Sequence, residues 1–150
     1  MRRDAMSFVP KDPDFERRVR ASFGRQAAMH TIGATLELVK PGEVEIHLPY
    51  DARLTQQNGY VHAGIVTMIV DSACGYAAYT LAPADADVLT VEYKANFMSP
   101  AKGESFVATG RVLKAGRTLT VCQGEVRARN GGSSAVVVAM LATIMILRPA

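Results

Sequence analysis

An almost unbroken apolar stretch runs from residue 63 to residue 84 and predicts one long helix. Nearly every face of this helix is apolar, and helices of that kind are buried. Asp71 is the one carboxylate within the stretch. Burying an unpaired charge costs several kcal/mol or more, so Asp71 is expected to be paired, protonated or used chemically.

Thr67, Asp71 and Gly75 are spaced four residues apart, so they form a narrow stripe of polar or small residues on this helix. Such a stripe suits one wall of a pocket, where Asp71 is a candidate general base or nucleophile. The structural alternative is that Asp71 bonds a nearby hydroxyl and only stabilises the core. A membrane span is disfavoured, because a mid-span Asp is costly and the flanks lack basic anchors.

The remaining pattern predicts one further helix and six strands. Residues 14–29 carry apolar side chains at steps of four, which is typical of an amphipathic helix. Alternating and apolar runs separated by Pro, Gly and Asn predict the strands. The strands are expected at residues 31–39, 43–48, 88–97, 103–113, 118–129 and 134–147, with a loop over 49–61 before the buried helix.

This element order favours an α+β fold, in which an antiparallel sheet wraps around one long central helix and an extra helix precedes it. We divide the chain into an N-terminal extension, 1–30, and a single domain, 31–150. The last strand is apolar along almost its whole length and needs at least partial cover on both faces. One helix does not easily cover six strands, so dimerisation is expected.

Charge and composition narrow the function classes. Residues 1–30 hold seven Lys or Arg against four Asp or Glu. The other 120 residues hold ten basic and ten acidic residues. The excess of +3 is therefore N-terminal, and the neutral main part of the chain argues against a nucleic-acid partner. Cys74 and Cys122 lie in apolar segments and predict buried free thiols. Met1–Asp4 is not followed by an apolar segment, so we expect no secretory signal and a cytoplasmic protein.

Three segments resemble one family. Residues 59–64, Gly-Tyr-Val-His-Ala-Gly, with Asp71 nine positions after His62, resemble the His-Gly-Gly turn and helix carboxylate of the PaaI-type and 4-hydroxybenzoyl-CoA-type acyl-CoA thioesterases. Residues 90–101 resemble that family's strand ending in Ser-Pro-Ala, and residues 112–119 resemble its hairpin at the coenzyme A nucleotide. The segments follow the family's order and spacing, and the resemblance covers about residues 30–148.

The resemblance implies a hotdog fold and hydrolysis of an acyl-CoA thioester with no metal or other cofactor, coenzyme A being part of the substrate. It implies that the backbone N–H of Ala63 polarises the thioester carbonyl, next to Gly64 at the positive end of the helix dipole. Asp71 would attack the carbonyl or activate a water, and both roles stay open. His62 would either hold the loop or contact the substrate.

Further residues match family positions. Gln56 matches the family's Asn or Gln that holds the water or the carbonyl, with Gln57 and Asn58 as rivals. Thr90 matches the Ser or Thr that orients the water. The predicted contacts to substrate or coenzyme A are Asn58, Met68, Glu92, Phe97, Lys114, Ala115, Gly116, Arg117, Thr118 and Leu119, with Tyr60 and Met98 as further candidates for the acyl pocket. Lys114 and Arg117 suit phosphates. For these polar residues the alternative is a local structural role.

The resemblance also implies an assembly. Nine helical residues rotate by about 900°, so a helical His62 would point away from Asp71. The resemblance implies that the turn of one chain meets Asp71 of another in a homodimer, and we expect two dimers to form a homotetramer. No nucleic-acid or membrane partner is expected, and no role is assigned to the N-terminal helix.

One departure from the family pattern matters for function. Ala63 stands where the family has glycine, and alanine would be strained if the backbone there had a positive φ. Two alternatives therefore stay open. The first is a non-catalytic acyl-CoA-binding module, which Ala63 favours. The second is a hotdog enoyl-CoA hydratase or dehydratase. Such an enzyme pairs a His with a helix carboxylate, and His62 and Asp71 would take these roles.

Overall fold

The computed structural model describes residues 7–149. Residues 1–6 and 150, which include the segment used to argue against a secretory signal, lie outside this range. The predicted boundary at residue 30 falls inside the second helix, and the division into an extension and a domain stays a prediction. The elements are α1 Phe15–Arg25, α2 Ala27–Ile32, β1 Thr35–Lys40, β2 Glu43–Pro49, a short 3-10 helix Ala52–Leu54, α3 Ala63–Tyr79, β3 Asp87–Phe97, β4 Ser105–Ala115, β5 Leu119–Asn130 and β6 Ser133–Leu147.

The six strands form one sheet in the order β1-β2-β4-β5-β6-β3, with every neighbouring pair antiparallel. Side chains alternate across it, so that every second residue of β4, β5 and β6 faces inward and is buried. Helix α3 lies across this inner face and contacts β2 to β6. The predicted plan of an antiparallel sheet around one long helix is confirmed.

Two glycines allow α3 to lie directly on the sheet. Gly110 of β4 and Gly124 of β5 are cross-strand partners. A Cβ atom at Gly110 would lie 2.3 Å from the carbonyl carbon of Ala73, and one at Gly124 would lie 2.5 Å from a methyl group of Val70. Neither distance is possible for a real side chain, so these positions require glycine through close packing rather than through backbone conformation.

The predicted single helix over 14–29 is wrong in one respect, because it is broken at Gln26. Gln26 has φ −80° and ψ 90°, which is not helical. Helix α1 buries Val19 and Phe23, and α2 buries Met29. Met29 lies ten residues after Val19, about 80° off the same face in a straight helix. The break turns Met29 into the core, and α2 then runs on to Ile32, so β1 begins four residues later than predicted.

Arg18 joins α1 to the end of α3. Its side chain is only 15% exposed and pairs with Asp12 at 3.0 Å. The guanidinium lies 4.3 Å from the ring centroid of Tyr79. It also donates hydrogen bonds to backbone carbonyls at and beyond the end of α3, those of Tyr79, Ala82, Pro83 and Ala86. The last carbonyls of a helix lack partners within the helix, and Arg18 satisfies part of this need.

Two surfaces of the sheet are left uncovered by the chain. Strand β3 is an edge strand, and its Leu89 and Phe97 are 59% and 54% exposed. On the outer face of β6, Leu141 is 52% exposed, so residues 7–149 of one chain do not supply the expected cover of this face. Cys74 and Cys122 are buried free thiols, as predicted. Among residues 7–149, no helix is long and apolar enough to cross a membrane.

Candidate active site

The loop before α3 is held in place by backbone hydrogen bonds. The His62 N–H donates to the Leu54 carbonyl at 2.9 Å, and the Val61 N–H donates to the Ala101 carbonyl at 3.0 Å. The second bond ties the loop to the segment after β3, which contains the Ser-Pro-Ala sequence. Gly59 has φ 82° and closes a turn that begins at Gln56. The first residues of α3 are therefore fixed at the end of β3.

His62 caps α3. The Gly64 N–H donates to His62 Nδ1 at 2.8 Å, so the neutral ring carries its proton on Nε2. A side chain at position 64 would press against the imidazole, since its Cβ would lie 3.1 Å from Nδ1. This hydrogen bond agrees with the loop-holding alternative for His62, and its role in catalysis stays a prediction. Its exposed ring also leaves Nε2 available to a substrate.

Ala63 is the first residue of α3, and its backbone is relaxed. Among the described residues every positive φ belongs to a glycine, so Ala63 is not strained. Its N–H has no hydrogen-bond partner within residues 7–149, whereas the Gly64 N–H is taken by His62 and those of Ile65 and Val66 by the His62 carbonyl. The one donor of this turn that remains free is the one that the resemblance singled out.

Asp71 is half-buried and accepts one hydrogen bond from the residues that the structure describes. Thr90 Oγ1 donates to Asp71 Oδ1 at 2.8 Å. A bulge in β3 directly after Thr90 shifts the register against β6 and turns the next residues. Burial raises the pKa of Asp71 above its ordinary value, and the Thr90 hydrogen bond partly opposes this. The second carboxylate oxygen is left for another partner.

A groove runs between α3 and β3 and connects the two ends of this site. We call it the Asp71 groove. It has a volume of about 610 Å³. Its walls are Ala63, Gly64, Thr67, Met68 and Asp71 from α3 and Tyr93, Ala95 and Phe97 from β3. Thr67 and Asp71 of the predicted stripe therefore belong to the groove wall, whereas Gly75 does not line it. The wall also includes the predicted substrate contacts Met68 and Phe97.

Ala63 and Asp71 share this groove but are separated along it. Their positions on α3 are eight residues apart, which corresponds to about 12 Å along the helix axis. Catalytic donors act at about 3 Å from the reacting atoms. One thioester carbonyl therefore does not reach both groups of the same chain.

Gln56 lies beside Ala63 in a second cavity of about 400 Å³, which we call the loop pocket. Tyr60, Phe97 and Met98 also line it. The Gln56 side-chain oxygen accepts hydrogen bonds from the Asn58 and Tyr60 N–H groups. Its amide nitrogen donates to no residue among those described. Gln57 and Asn58 are exposed on the turn itself.

The predicted coenzyme A hairpin lies at the other end of the sheet. Its exposed residues connect β4 to β5, and Gly116 donates to the Leu119 carbonyl at 2.9 Å. Leu119 is opposite Met145, which is opposite Leu89 at the start of β3. The turn before α3, by contrast, is bonded beyond the end of β3. The hairpin residues Lys114, Ala115, Gly116, Arg117, Thr118 and Leu119 are thus remote from Ala63 of their own chain.

Glu92 is also remote from the groove. It follows the bulge and accepts a hydrogen bond from Thr143 on the outer face of the sheet, away from α3. Of the predicted catalytic residues, the structure brings together Asp71 with Thr90, and Ala63 with His62, Gly64 and Gln56. It does not bring the two groups together within one chain.

Sequence reasoning missed a pocket formed by the N-terminal helices. Asp71 also lines a cavity of about 190 Å³, which we call the N-terminal pocket, together with Ser22, Gln26, Ser72 and Tyr76. Ser22 and Gln26 are four residues apart, so they share one face of the continuous helix that the sequence predicted. That polar pair, next to the buried Phe23, was the signal in the sequence that could have found it.

The family model and the similar proteins found by comparison agree on one family. The family model described as the thioesterase superfamily matches residues 58–135, which include the turn, α3 and β3. Human acyl-coenzyme A thioesterase 13 is 34% identical over 86 residues, 57% of this chain and 61% of that protein. A candidate esterase of Saccharolobus solfataricus is 32% identical over 93 residues, 62% of this chain and 66% of its own length. The matches thus span less than two thirds of these curated relatives.

Solved structures give the fold. A thioesterase family protein from Silicibacter pomeroyi is 48% identical, with a TM-score of 0.89 over 90% of this chain and 99% of that one. The PaaI protein of E. coli has a TM-score of 0.79 over 91% of this chain and 94% of its own, at 16% identity. The predicted hotdog fold is confirmed by these likenesses.

Proposed function

The chain belongs to the thioesterase superfamily, and we propose that it hydrolyses an acyl-CoA thioester to the free acid and coenzyme A. The observation that carries this proposal is the Asp71 groove. At one end it presents a half-buried carboxylate with a raised pKa, and at the other a helix N-terminus with one free N–H. A base and an oxyanion donor are the two groups that thioester hydrolysis needs.

We assign Asp71 the role of general base. Its Oδ1 is held by Thr90, and the raised pKa makes it a better proton acceptor than an ordinary carboxylate. Asp71 takes a proton from a water as the water oxygen bonds to the thioester carbon. Thr90 donates its own proton to Asp71, so its lone pairs are free to accept a hydrogen bond from the same water.

The Ala63 N–H then stabilises the oxygen of the tetrahedral intermediate. The positive end of the α3 dipole adds to this effect. When the intermediate collapses, the C–S bond breaks, the acid is released and the coenzyme A sulfur takes the proton held by Asp71. In this proposal the Gln56 amide, which lines the same cavity as Ala63, donates a second hydrogen bond to the carbonyl oxygen.

The site is completed by a second copy of the chain in this proposal. Ala63 and Asp71 of one chain are too far apart for one carbonyl, but two antiparallel α3 helices facing each other would place Ala63 of each near Asp71 of the other. The exposed edge of β3, with its apolar Leu89 and Phe97, supports such pairing, because long apolar edge strands tend to find partners. A second pairing through the outer face at Leu141 would give a dimer of dimers.

The same arrangement accounts for the remote hairpin. Lys114 and Arg117 lie at the β3 end opposite the turn in their own chain. In an antiparallel dimer this hairpin approaches the partner's turn, where exposed cations suit the phosphates of coenzyme A. The acyl-CoA would then contact residues from both chains.

The proposal is tested by thiol release from short, medium, long and aromatic acyl-CoAs. Wild type is expected to cleave at least one of them, and Asp71→Asn to lose about 10²–10⁴-fold in kcat, the usual contribution of a general base. Asp85→Asn, an exposed carboxylate beyond α3, serves as the matched control and should keep full activity. Binding of acyl-CoA without turnover by wild type would instead support the non-catalytic module.

A further inference from the structure

The N-terminal pocket is unusual in the polarity of its walls. It lies between α1, α3 and the start of β3, and Asp71 separates it from the Asp71 groove. Ser22 and Gln26 from the N-terminal helices face Ser72 and Tyr76 from α3. An acyl group whose carbonyl is held near Asp71 therefore has this pocket directly ahead of it.

Gln26, one of the residues that line this pocket, has an unused hydrogen-bond acceptor. Its amide nitrogen donates to Ser72 Oγ at 3.2 Å. Its Oε1 atom is buried, and no donor among residues 7–149 reaches it. Buried polar atoms in folded proteins nearly always have a partner, so an unpaired one at a cavity wall points to a ligand that supplies the missing donor.

Ser22 and Tyr76 can supply a hydrogen-bond donor, whereas Gln26 supplies an acceptor. Their hydroxyl oxygens are 3.3 Å apart and share one hydrogen bond, in which either atom can be the donor. Burial raises the pKa of Tyr76, so its hydroxyl keeps its proton near neutral pH. Of the two hydroxyl protons, one closes the pair and the other is free to be donated.

A hydroxyl group complements both features at once, because it can donate to Gln26 and accept from the Ser22–Tyr76 pair. We propose that the N-terminal pocket binds the distal end of the acyl group and that Gln26 selects acyl groups carrying a hydroxyl there. This inference rests on the proposed thioesterase function and adds a preference for one class of acyl group. Gln26 is a substrate-selecting residue in it and takes no part in the chemical step.

The size of the pocket sets the range of acyl groups. From Asp71 to Tyr79, which also lines the pocket, α3 rises by about 12 Å. The cavity of about 190 Å³ is small. Short and medium acyl groups fit this space, so a terminal hydroxyl on such a chain would lie near Gln26.

The test compares matched substrates that differ by one oxygen. Butanoyl-, hexanoyl- and octanoyl-CoA are each assayed beside their ω-hydroxy counterparts. Wild type is expected to show a kcat/KM at least about tenfold higher for the hydroxy form at one chain length, on the scale of one hydrogen bond to a buried group. Gln26→Met keeps the side-chain length and removes the acceptor, and it should abolish this preference while the rate on the plain chain is kept or raised.

Two further variants control the result. Gln123→Met makes the same change on the exposed outer face of β5 and should leave the preference intact. Ser22→Ala removes one partner of the hydroxyl pair without touching the break between α1 and α2, and it should weaken the preference several-fold. If Gln26→Met unfolds, Ser22→Ala still decides the point. The assignment is overturned if both variants keep the wild-type preference, or if wild type shows no preference for the hydroxy form. Either result also covers the case in which the loop pocket holds the end of the acyl group.

Failure of the proposed function is recognised separately. If wild type cleaves no acyl-CoA, the plain and ω-hydroxy acyl-CoAs are stable ligands. Calorimetry then measures the affinity of the protein for each of them. Tighter binding of the hydroxy form by wild type but not by Gln26→Met keeps the selection without hydrolysis. Equal affinity, or no binding, overturns it.

Discussion

Ala63 begins α3 with a free N–H in the groove wall, and its backbone permits a test that removes only that N–H. Proline is tolerated at the first position of a helix, and the preceding His62 has φ −59° and ψ 139°, which suits a residue before proline. Ala63→Pro should therefore fold normally. We expect kcat to fall by about 10²–10³-fold, as when one oxyanion donor is lost.

The control for this prediction is Ala63→Gly, which keeps the N–H and should keep turnover within a few-fold. It should also lower helix stability slightly, by about 0.5–1 kcal/mol, because glycine is less favourable than alanine within a helix. Thiol release and thermal unfolding measure both effects. Full activity in Ala63→Pro would remove Ala63 from the mechanism.

In the proposed mechanism, Thr90 influences the pH dependence of the reaction through Asp71. Burial raises the pKa of Asp71, and the hydrogen bond from Thr90 lowers it. A base works when deprotonated, so activity falls as the pH drops through this pKa. Thr90→Val removes the lowering effect, and the acid limb of kcat should move to higher pH. Thr90→Ser keeps the hydroxyl and should keep the wild-type limb. A limb in Thr90→Val that stays in place, or moves to lower pH, would contradict the role of this hydrogen bond.

Single residues of the site were partly readable from sequence. Asp71 was recognisable because a carboxylate in an apolar helix needs a reason to be there, and the resemblance supplied Ala63, Gln56 and Thr90. The partner of Asp71 was not derivable from spacing alone, since it depends on a bulge after Thr90 in a distant strand. Gln26 was missed because its importance arises from a break in a helix that periodicity predicted as continuous.

At the scale of elements, Arg18 holds the N-terminal helices against α3 and so maintains one wall of the N-terminal pocket. Arg18→Met should lower the free energy of unfolding by about 3 kcal/mol, because it leaves Asp12 and several carbonyls buried without their donor. Arg17→Met is the neighbouring control. Its side chain is 82% exposed, and the loss of its surface pair with Asp14 should cost under about 0.5 kcal/mol.

Urea unfolding of the two variants checks this contrast. Equal stabilities would show that the N-terminal helices are attached by apolar contacts alone. If Arg18→Met is the less stable variant, its preference between hydroxy and plain acyl-CoAs should also weaken, because the pocket wall formed by α1 is then less firmly placed.

Elements whose apolar residues repeat every two or every four positions were predicted within a few residues of their observed bounds. Helix α3 and strands β2 to β6 belong to this group, since their burial on a sheet face repeats the pattern in the sequence. The break at Gln26 and the late start of β1 were not predicted, because they depend on which side chains the core accepts rather than on local preference. The requirement for glycine at Gly110 and Gly124 likewise becomes visible only when α3 lies on the sheet.

At the scale of the whole molecule, the fold and the family agree with the sequence predictions. The family match and the likeness to a solved thioesterase family structure confirm the hotdog fold and membership of the thioesterase superfamily, and hydrolysis of a thioester is the function proposed for it. The assembly could not be derived from one chain. What the chain contributes is an incomplete site, with Ala63 and Asp71 separated by about 12 Å on one helix, and an apolar edge strand beside it.

The central claim is that one active site uses Ala63 of one chain and Asp71 of another. Mixing Ala63→Pro with Asp71→Asn, each inactive alone, tests it most directly. In a mixed dimer one site contains both defects and the other contains neither. Random reassembly after denaturation should restore about a quarter of the wild-type rate, since half of the dimers are mixed and each has one intact site. If the refolded mixture stays as inactive as its components while eluting as a dimer, the two groups do not act together across the interface.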